Sequence, residues 1–152
     1  MIKVYADTSV FGGVFDEEFL KPSQEFFEEV KNGRFLLVTS AVVQLEISSA
    51  PQQVQEFFSM MTANAEIIEL TQQVLELRQA YLEAKIVTPK STNDATHVAL
   101  ASISHCDMIV SWNFKHIVHF EKIPKYNAVN TIKGYGQLAI FSPSEVIEYD
   151  DI

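Results

Sequence analysis

The stretch Ile2-Lys3-Val4-Tyr5-Ala6-Asp7-Thr8-Ser9 decides the fold. Its first five residues are short, β-prone and nearly continuous in apolar character. Asp7-Thr8-Ser9 then ends the run with residues that favour turns and caps. Three further runs have the same texture: Phe35-Leu36-Leu37-Val38-Thr39, Met108-Ile109-Val110-Ser111 and Leu138-Ala139-Ile140-Phe141, the last stopped by Ser142-Pro143. None alternates polar with apolar residues, as expected of strands covered on both faces. Between them lie segments with helical spacing. Ser23 to Lys31 carries Phe26, Phe27 and Val30 and stops at Asn32-Gly33. Val42, Leu45 and Ile47 belong to another helix, interrupted at Pro51. Gln52 to Met61, Thr71 to Ala84 and Thr92 to Ser104 complete the set. Strands alternating with helices predict a three-layer α/β/α domain around a mostly parallel sheet of four to five strands. Residues 120–137, with Pro124, Gly134 and Gly136, read as a loop.

Composition sets the outer bounds. The chain has 152 residues, close to the usual ~100–150 of one domain, so residues 1–152 are expected to form a single unit. Its 47% hydrophobic content and five Gly and five Pro argue against a disordered or fibrous class. One cysteine, Cys106, forms no internal disulfide and fits a reducing, cytoplasmic compartment. Without a His/Asp arrangement to activate it, it reads as a small buried residue. The start Met1-Ile2-Lys3-Val4 lacks the basic-then-apolar pattern of a signal peptide, and no run of ~18 apolar residues predicts a membrane span.

The net charge of −9 argues at first against a nucleic-acid partner. Its distribution is uneven. Residues 113–134 hold Lys115, Lys122, Lys125 and Lys133 against Glu121, a local charge of +3, with His116 and His119 alongside. The stretch from Asp16 through Glu29 is strongly acidic. A basic segment on an acidic body suits a polyanion, and equally suits a solvated surface.

In open α/β sheets, ligands bind outside the carboxyl ends of the strands. Asp7 follows the first strand and Asn113 lies just beyond the third. Glu46 stands on the helix after the second strand, and Asp94 in the first turn of the Thr92–Ser104 helix. On that helix Asp94, His97, Val98 and Ala101 share a face by their spacing. Small Ala99, Ala101 and Ser102 allow close approach to the sheet, directing Asp94 toward Asp7. Each residue also has an ordinary reading: Asp7 as a cap, Glu46 as an exposed or ion-paired position, Asp94 as a complement to the helix dipole. Together, three carboxylates in an apolar setting would repel and raise one another's pKa values. A divalent cation relieves that repulsion, and oxygen-only ligands suit Mg²⁺ or Mn²⁺. His97 reads as a packed helical residue rather than a ligand. Asp107 precedes its strand and is expected at the opposite end of the sheet. Trp112 is read as packing rather than base-stacking, and Phe26/Phe27 and Phe57/Phe58 as core or subunit-interface residues.

These residues resemble the PIN-domain nucleases, especially the VapC-type toxin ribonucleases. Val4-Tyr5-Ala6-Asp7-Thr8-Ser9-Val10-Phe11 is similar to the opening motif of that family, and Leu45-Glu46-Ile47 sits where the second acidic motif belongs. Asn93-Asp94-Ala95-Thr96-His97-Val98-Ala99-Leu100-Ala101 resembles the third motif, Ile109-Val110-Ser111-Trp112-Asn113 the last, and Ile140 to Ile147 the usual end of the domain. The resemblance implies metal-dependent hydrolysis of RNA phosphodiesters, leaving a 5′-phosphate and a 3′-hydroxyl. Asp7 and Asp94 would be metal ligands, and Glu46 a further ligand or the group orienting water. Many members have Asp where this chain has Asn113, an amide that keeps an oxygen but adds no charge. Thr8, Ser111, Lys115 and His116 are the candidate substrate contacts. A cognate antitoxin and a homodimer are also implied. Losing one carboxylate is expected to impair rate far more than fold, each being at the surface end of an element.

Other classes fit less well. A haloacid-dehalogenase-like phosphatase calls for Asp-x-Asp, but position 9 is Ser. A dinucleotide-binding protein needs a Gly-rich turn that Gly12-Gly13 does not supply. The remaining rival is a PIN fold kept as a nucleic-acid or protein binding module with weak or no catalysis. Asn113 and the acidic charge favour it; the intact Asp7, Glu46 and Asp94 oppose it.

Overall fold

The computed structural model describes residues 1–149. Five strands, β1 (Ile2–Ala6), β2 (Phe35–Ser40), β3 (Glu66–Ile68), β4 (Met108–Val110) and β5 (Ala139–Phe141), form one sheet in the order β3-β2-β1-β4-β5. Every pairing is parallel. Parallel neighbours need crossover connections, and these are helical. Helices α1 (Thr8–Gly13), α2 (Leu20–Lys31), α3 (Ala41–Ile47), α4 (Gln52–Met61) and α8 (Pro143–Val146) pack among themselves. The second group is α5 (Gln72–Glu83), α6 (Thr92–Ile103) and α7 (Ile123–Ile132). The result is the three-layer α/β/α fold expected from the sequence. Covered on both sides, Val4, Tyr5, Ala6, Ile109 and Val110 are fully buried. Among the described residues no helix is long and apolar enough to cross a membrane.

The chain adds β2 and β3 on one side of β1, then returns to add β4 and β5 on the other. This reversal makes the carboxyl edge between β1 and β4 the switch point where such sheets open a ligand crevice. The register aligns Ala6 with Val110, so Asp7 and Ser111 emerge side by side there. Asp107 lies at the other end, where it accepts the Lys3 backbone N–H at 2.7 Å.

Four elements differ from expectation or were not foreseen. Residues 123–132 are a helix, not a loop. Pro124 sits in its first turn, where a missing N–H costs nothing, and Gly134 follows its end at φ +86°. Pro124 and Gly134, two of the three residues that suggested a loop, are its start and stop signals. Its inward face is polar: Asn127 takes the Leu138 N–H at 2.6 Å and donates to the Leu138 carbonyl at 3.0 Å, so apolar periodicity is weak. Residues after Asp7 continue as α1 rather than ending in a turn. Helix α2 starts at Leu20, ahead of Ser23. Strand β3 has three residues, Glu66-Ile67-Ile68, two of them exposed, and is too short to stand out.

The paired phenylalanines are core residues. Phe11, Phe26, Phe27, Phe57 and Phe58 form one aromatic cluster, with ring centroids 4.9–5.1 Å apart between Phe11 and Phe58, Phe11 and Phe27, Phe27 and Phe57, and Phe26 and Phe27. Trp112 is buried too, stacked on Phe19 at 4.3 Å and donating its indole N–H to Ser23 Oγ at 2.8 Å. That indole presses on the end of α1. A Cβ at Gly13 would stand 2.6 Å from Ser23 Oγ and 2.8 Å from Trp112 Nε1, whereas one at Gly12 would meet nothing within 4 Å. Gly13→Ala should therefore lower stability by about 1–3 kcal/mol through overpacking. Gly12→Ala should be neutral or stabilising by about 0.5–1 kcal/mol through helix propensity. Urea denaturation of the two variants checks this; equal effects would reject the close approach.

Candidate functional site

Asp7 is nearly buried, 4% exposed, at the carboxyl end of the central strand. It is the N-cap of α1, with Oδ1 accepting the Ser9 N–H at 3.1 Å and the Ser9 hydroxyl at 2.5 Å. Oδ2 accepts the Ser111 hydroxyl at 2.6 Å across the switch point. Ser9 Oγ in turn accepts the Trp112 N–H at 2.9 Å. The capping role and the position at the crevice, which looked like alternatives, belong to the same side chain. Burial pushes the Asp7 carboxyl above the usual carboxylate range. The His97 charge and the Ser111 and Ser9 hydroxyls pull the other way without cancelling it, and the Glu46 charge adds to the rise. The expectation that its loss would spare the fold is therefore revised: an N-cap and a cross-strand bond go with it.

Glu46 projects from α3, whose N-cap Ser40 ends β2. Its Oε1 accepts the Thr8 hydroxyl at 2.8 Å and meets His97 Nε2 at 2.7 Å. Burial alone would raise the Glu46 carboxyl, but the His97 contact and charge, with the Thr8 hydroxyl, bring it below its ordinary value. Its neighbour Leu45, which looked like apolar cover in the sequence, is 73% exposed.

His97, on α6, is the residue that sequence reasoning undervalued. It is packed, 3% exposed, and both ring nitrogens are engaged, Nδ1 with the Tyr5 hydroxyl at 2.7 Å. Tyr5 Oη also bonds Ser40 Oγ at 2.8 Å. With the ring charged, Nε2–H donates to Glu46, Nδ1–H donates to Tyr5, and the Tyr5 hydroxyl donates to Ser40. Burial by itself would lower the His97 pKa; the Glu46 hydrogen bond and the charges of Asp7, Glu46 and Asp94 outweigh it and raise the net value. Of the three carboxylates singled out in the sequence, Glu46 contacts this imidazole, and the charges of Asp7 and Asp94 favour its protonated form. The available signal was the shared face of Asp94 and His97 in Asn93-Asp94-Ala95-Thr96-His97. Nothing in the sequence linked it to Tyr5.

Asp94 is partly buried in the first turn of α6. Besides its effect on His97, its charge helps raise the Tyr126 hydroxyl, where burial is the larger cause. Asn113 shapes the turn after β4: its Oδ1 accepts the His116 N–H at 2.9 Å, and its own N–H donates to Ser111 Oγ at 2.9 Å. Of the candidate substrate contacts, Thr8 holds Glu46, and Ser111 is fully buried with its hydroxyl on Asp7. Lys115 is exposed, and His116 is partly buried with Nδ1 unpartnered among the described residues. Cys106 is buried at the far end of β4, where burial pushes its thiol up to about 11.

The donor chemistry of Asp7, Glu46 and Asp94, hard carboxylate oxygens at one sheet edge, suits Mg²⁺ or Mn²⁺. As arranged, Asp7 and Glu46 give their oxygens to Ser9, Ser111, Thr8 and His97. Among the described residues no group of three or more His, Cys, Asp and Glu side chains is gathered closely enough to hold a metal ion.

Folding raises the affinity of His97 for its proton. The stability drawn from that charge is complete below about pH 6.5, the ordinary imidazole value, and is lost as pH rises through the higher folded value. Unfolding free energy should therefore fall with pH in the window above 6.5, and His97→Gln should remove that slope. Guanidinium titrations across this window measure it; an unchanged slope in the variant would show that His97 is not the group responsible.

No protein-family model matches this sequence, and no curated protein matches it. Among solved structures the fold is similar to the crystal structure of VapBC2 from Rickettsia felis bound to a DNA fragment from their promoter. The TM-score is 0.58 at 14% identity, covering 91% of this chain and 97% of that one. At that identity the likeness is one of fold: this chain shares the architecture of a protein from a VapBC complex.

Proposed function

We propose that this chain is a metal-dependent endoribonuclease acting on RNA phosphodiester bonds, and the toxin of a VapBC-type toxin–antitoxin module. One observation carries the reading: at the carboxyl edge of a parallel sheet, Asp7 bonds Ser111 across the switch point and Glu46 meets the buried His97 of the helix whose first turn carries Asp94. The fold likeness to a chain of a VapBC2 complex supports the antitoxin partner. The motif order in the sequence supports RNA as substrate.

In this reading Asp7, Asp94 and Glu46 would hold Mg²⁺ or Mn²⁺, which when bound polarises a phosphoryl oxygen and lowers the pKa of an attacking water. His97 acts as a positioning residue. Held by Tyr5 and Ser40, it fixes the carboxylate plane of Glu46, and Thr8 holds the same oxygen. Glu46 Oε2 is left to orient a water for in-line attack. Lys115 and His116, on the turn shaped by Asn113, lie on the segment where a phosphate would be neutralised.

Because Asp7 also caps α1, Asp94→Asn is the cleaner test of chemistry. Purified, antitoxin-free protein should cut single-stranded RNA with Mg²⁺ or Mn²⁺ and stop with EDTA. Asp94→Asn should lose about 10²-fold or more in rate while melting like the wild type. A second reading, a binding module with weak or no catalysis, draws on Asn113, whose amide adds no charge and is committed to the turn. RNA that shifts in a gel yet stays uncut, equally with both proteins, would select it.

A further inference from the structure

We propose that residues 114–125 form a stacking platform for unpaired bases of a single-stranded nucleic acid, with Phe114 and Phe120 as the base-contacting rings. The proposal rests on the reading that the chain acts on RNA, and adds where and how a strand is held. The aromatic residue that the sequence offered for stacking, Trp112, is not free for it, being buried against Phe19 and bonded to Ser23. The exposed rings come after it on the same turn. Phe114 is 49% exposed and rests edge-on against Trp112 at 6.0 Å; Phe120 is 79% exposed and lies parallel to the His119 ring at 5.2 Å and 18°. Phe120 is thus stacked on a neighbouring ring while largely exposed, and Phe114 is half-exposed beside Trp112.

Leaving two phenylalanines in water forgoes stabilisation that burial would supply. They stand in the segment where lysines outnumber acids, on a chain of net charge −9. Lys115 and Lys125 are exposed beside them, whereas Lys122 is tied to the Ile86 carbonyl at 2.5 Å. Exposed rings with lysines alongside match a strand that presents base faces and phosphates together. A duplex hides its base faces, so single strands fit and duplexes do not.

The platform is held in place before any ligand arrives. The Ile117 and Val118 N–H groups donate to the Asn113 carbonyl at 3.2 and 2.9 Å, and Tyr126 Oη donates to the His116 carbonyl at 2.8 Å. The Lys122 and Ile123 N–H groups both donate to the His119 carbonyl at 2.9 Å. Asn113 links the platform through Ser111 to Asp7.

The test is fluorescence anisotropy with labelled oligo(U) and oligo(A), and with a duplex of the same length, in EDTA so that cleavage plays no part. Phe114→Ala and Phe120→Ala should each weaken single-strand binding about 5- to 100-fold without changing the melting temperature. Phe120→Trp should restore affinity, Lys115→Gln should flatten the salt dependence, and duplex binding should be weaker and indifferent to Phe120. Unchanged single-strand affinity in both Phe→Ala variants overturns the proposal, as does equal loss for duplex. A sedimenting dimer that Phe120→Ala dissociates, with RNA affinity intact, overturns it in favour of a self-association surface. Failure here is distinguishable from failure of the nuclease reading. Cleavage lost in Asp94→Asn with binding untouched by Phe120→Ala leaves the chemistry standing; stacking without any cleavage leaves the platform standing.

Discussion

A buried imidazole at the carboxyl edge of the sheet ties the elements around it together: His97 Nδ1 bonds the Tyr5 hydroxyl and Nε2 meets Glu46. Burial disfavours both the ionised Asp7 and the protonated His97, and each is partly rescued by the other. Glu46 ties the arrangement to α3, and Tyr5 with Ser40 ties it to β1 and β2. Tyr5 and Glu46 thus bond the ring directly, and Ser40 bonds it through Tyr5. Replacing the ring by Ala leaves the Tyr5 hydroxyl and Glu46 Oε1 without that partner, and an unmade buried hydrogen bond typically costs about 1–3 kcal/mol.

The same arrangement bears on how a cation would enter. Three converging carboxylates were expected to require a dication. In this structure Asp7 and Glu46 are already engaged, Asp7 with the Ser9 and Ser111 hydroxyls and Glu46 with the Thr8 hydroxyl and the His97 ring. Metal binding in such a site is a competition with existing internal partners, so affinity depends on how tightly His97 holds Glu46 as well as on carboxylate count. Asp7 has a second obligation, since it caps α1 and bridges to Ser111.

Charge is divided along the molecule in a related way. The acidic body repels a polyanion, while the segment after Asn113 carries lysines and exposed rings close to the switch point. Helix α7 braces that segment through Tyr126 and joins the sheet edge through Asn127. The surface and the carboxylate cluster therefore share one scaffold, the turn that Asn113 builds.

Much of this was legible in the chain itself. Near-continuous apolar runs alternating with 3.6-period segments determined a parallel sheet with helices on both faces, because only doubly covered strands tolerate such runs. The placement of Asp7 after the first strand and Asp94 in a helical first turn followed from local spacing. Tertiary structure alone decided what those residues meet. Helix α7 was hidden because its buried face is polar, β3 because it is three residues long and held by neighbours. The pairing of His97 with Tyr5 and Glu46 joins residues 92 and 51 positions apart. Local propensity carries no term for such distances, and the protonation of a buried ring is set by the charges that folding brings around it.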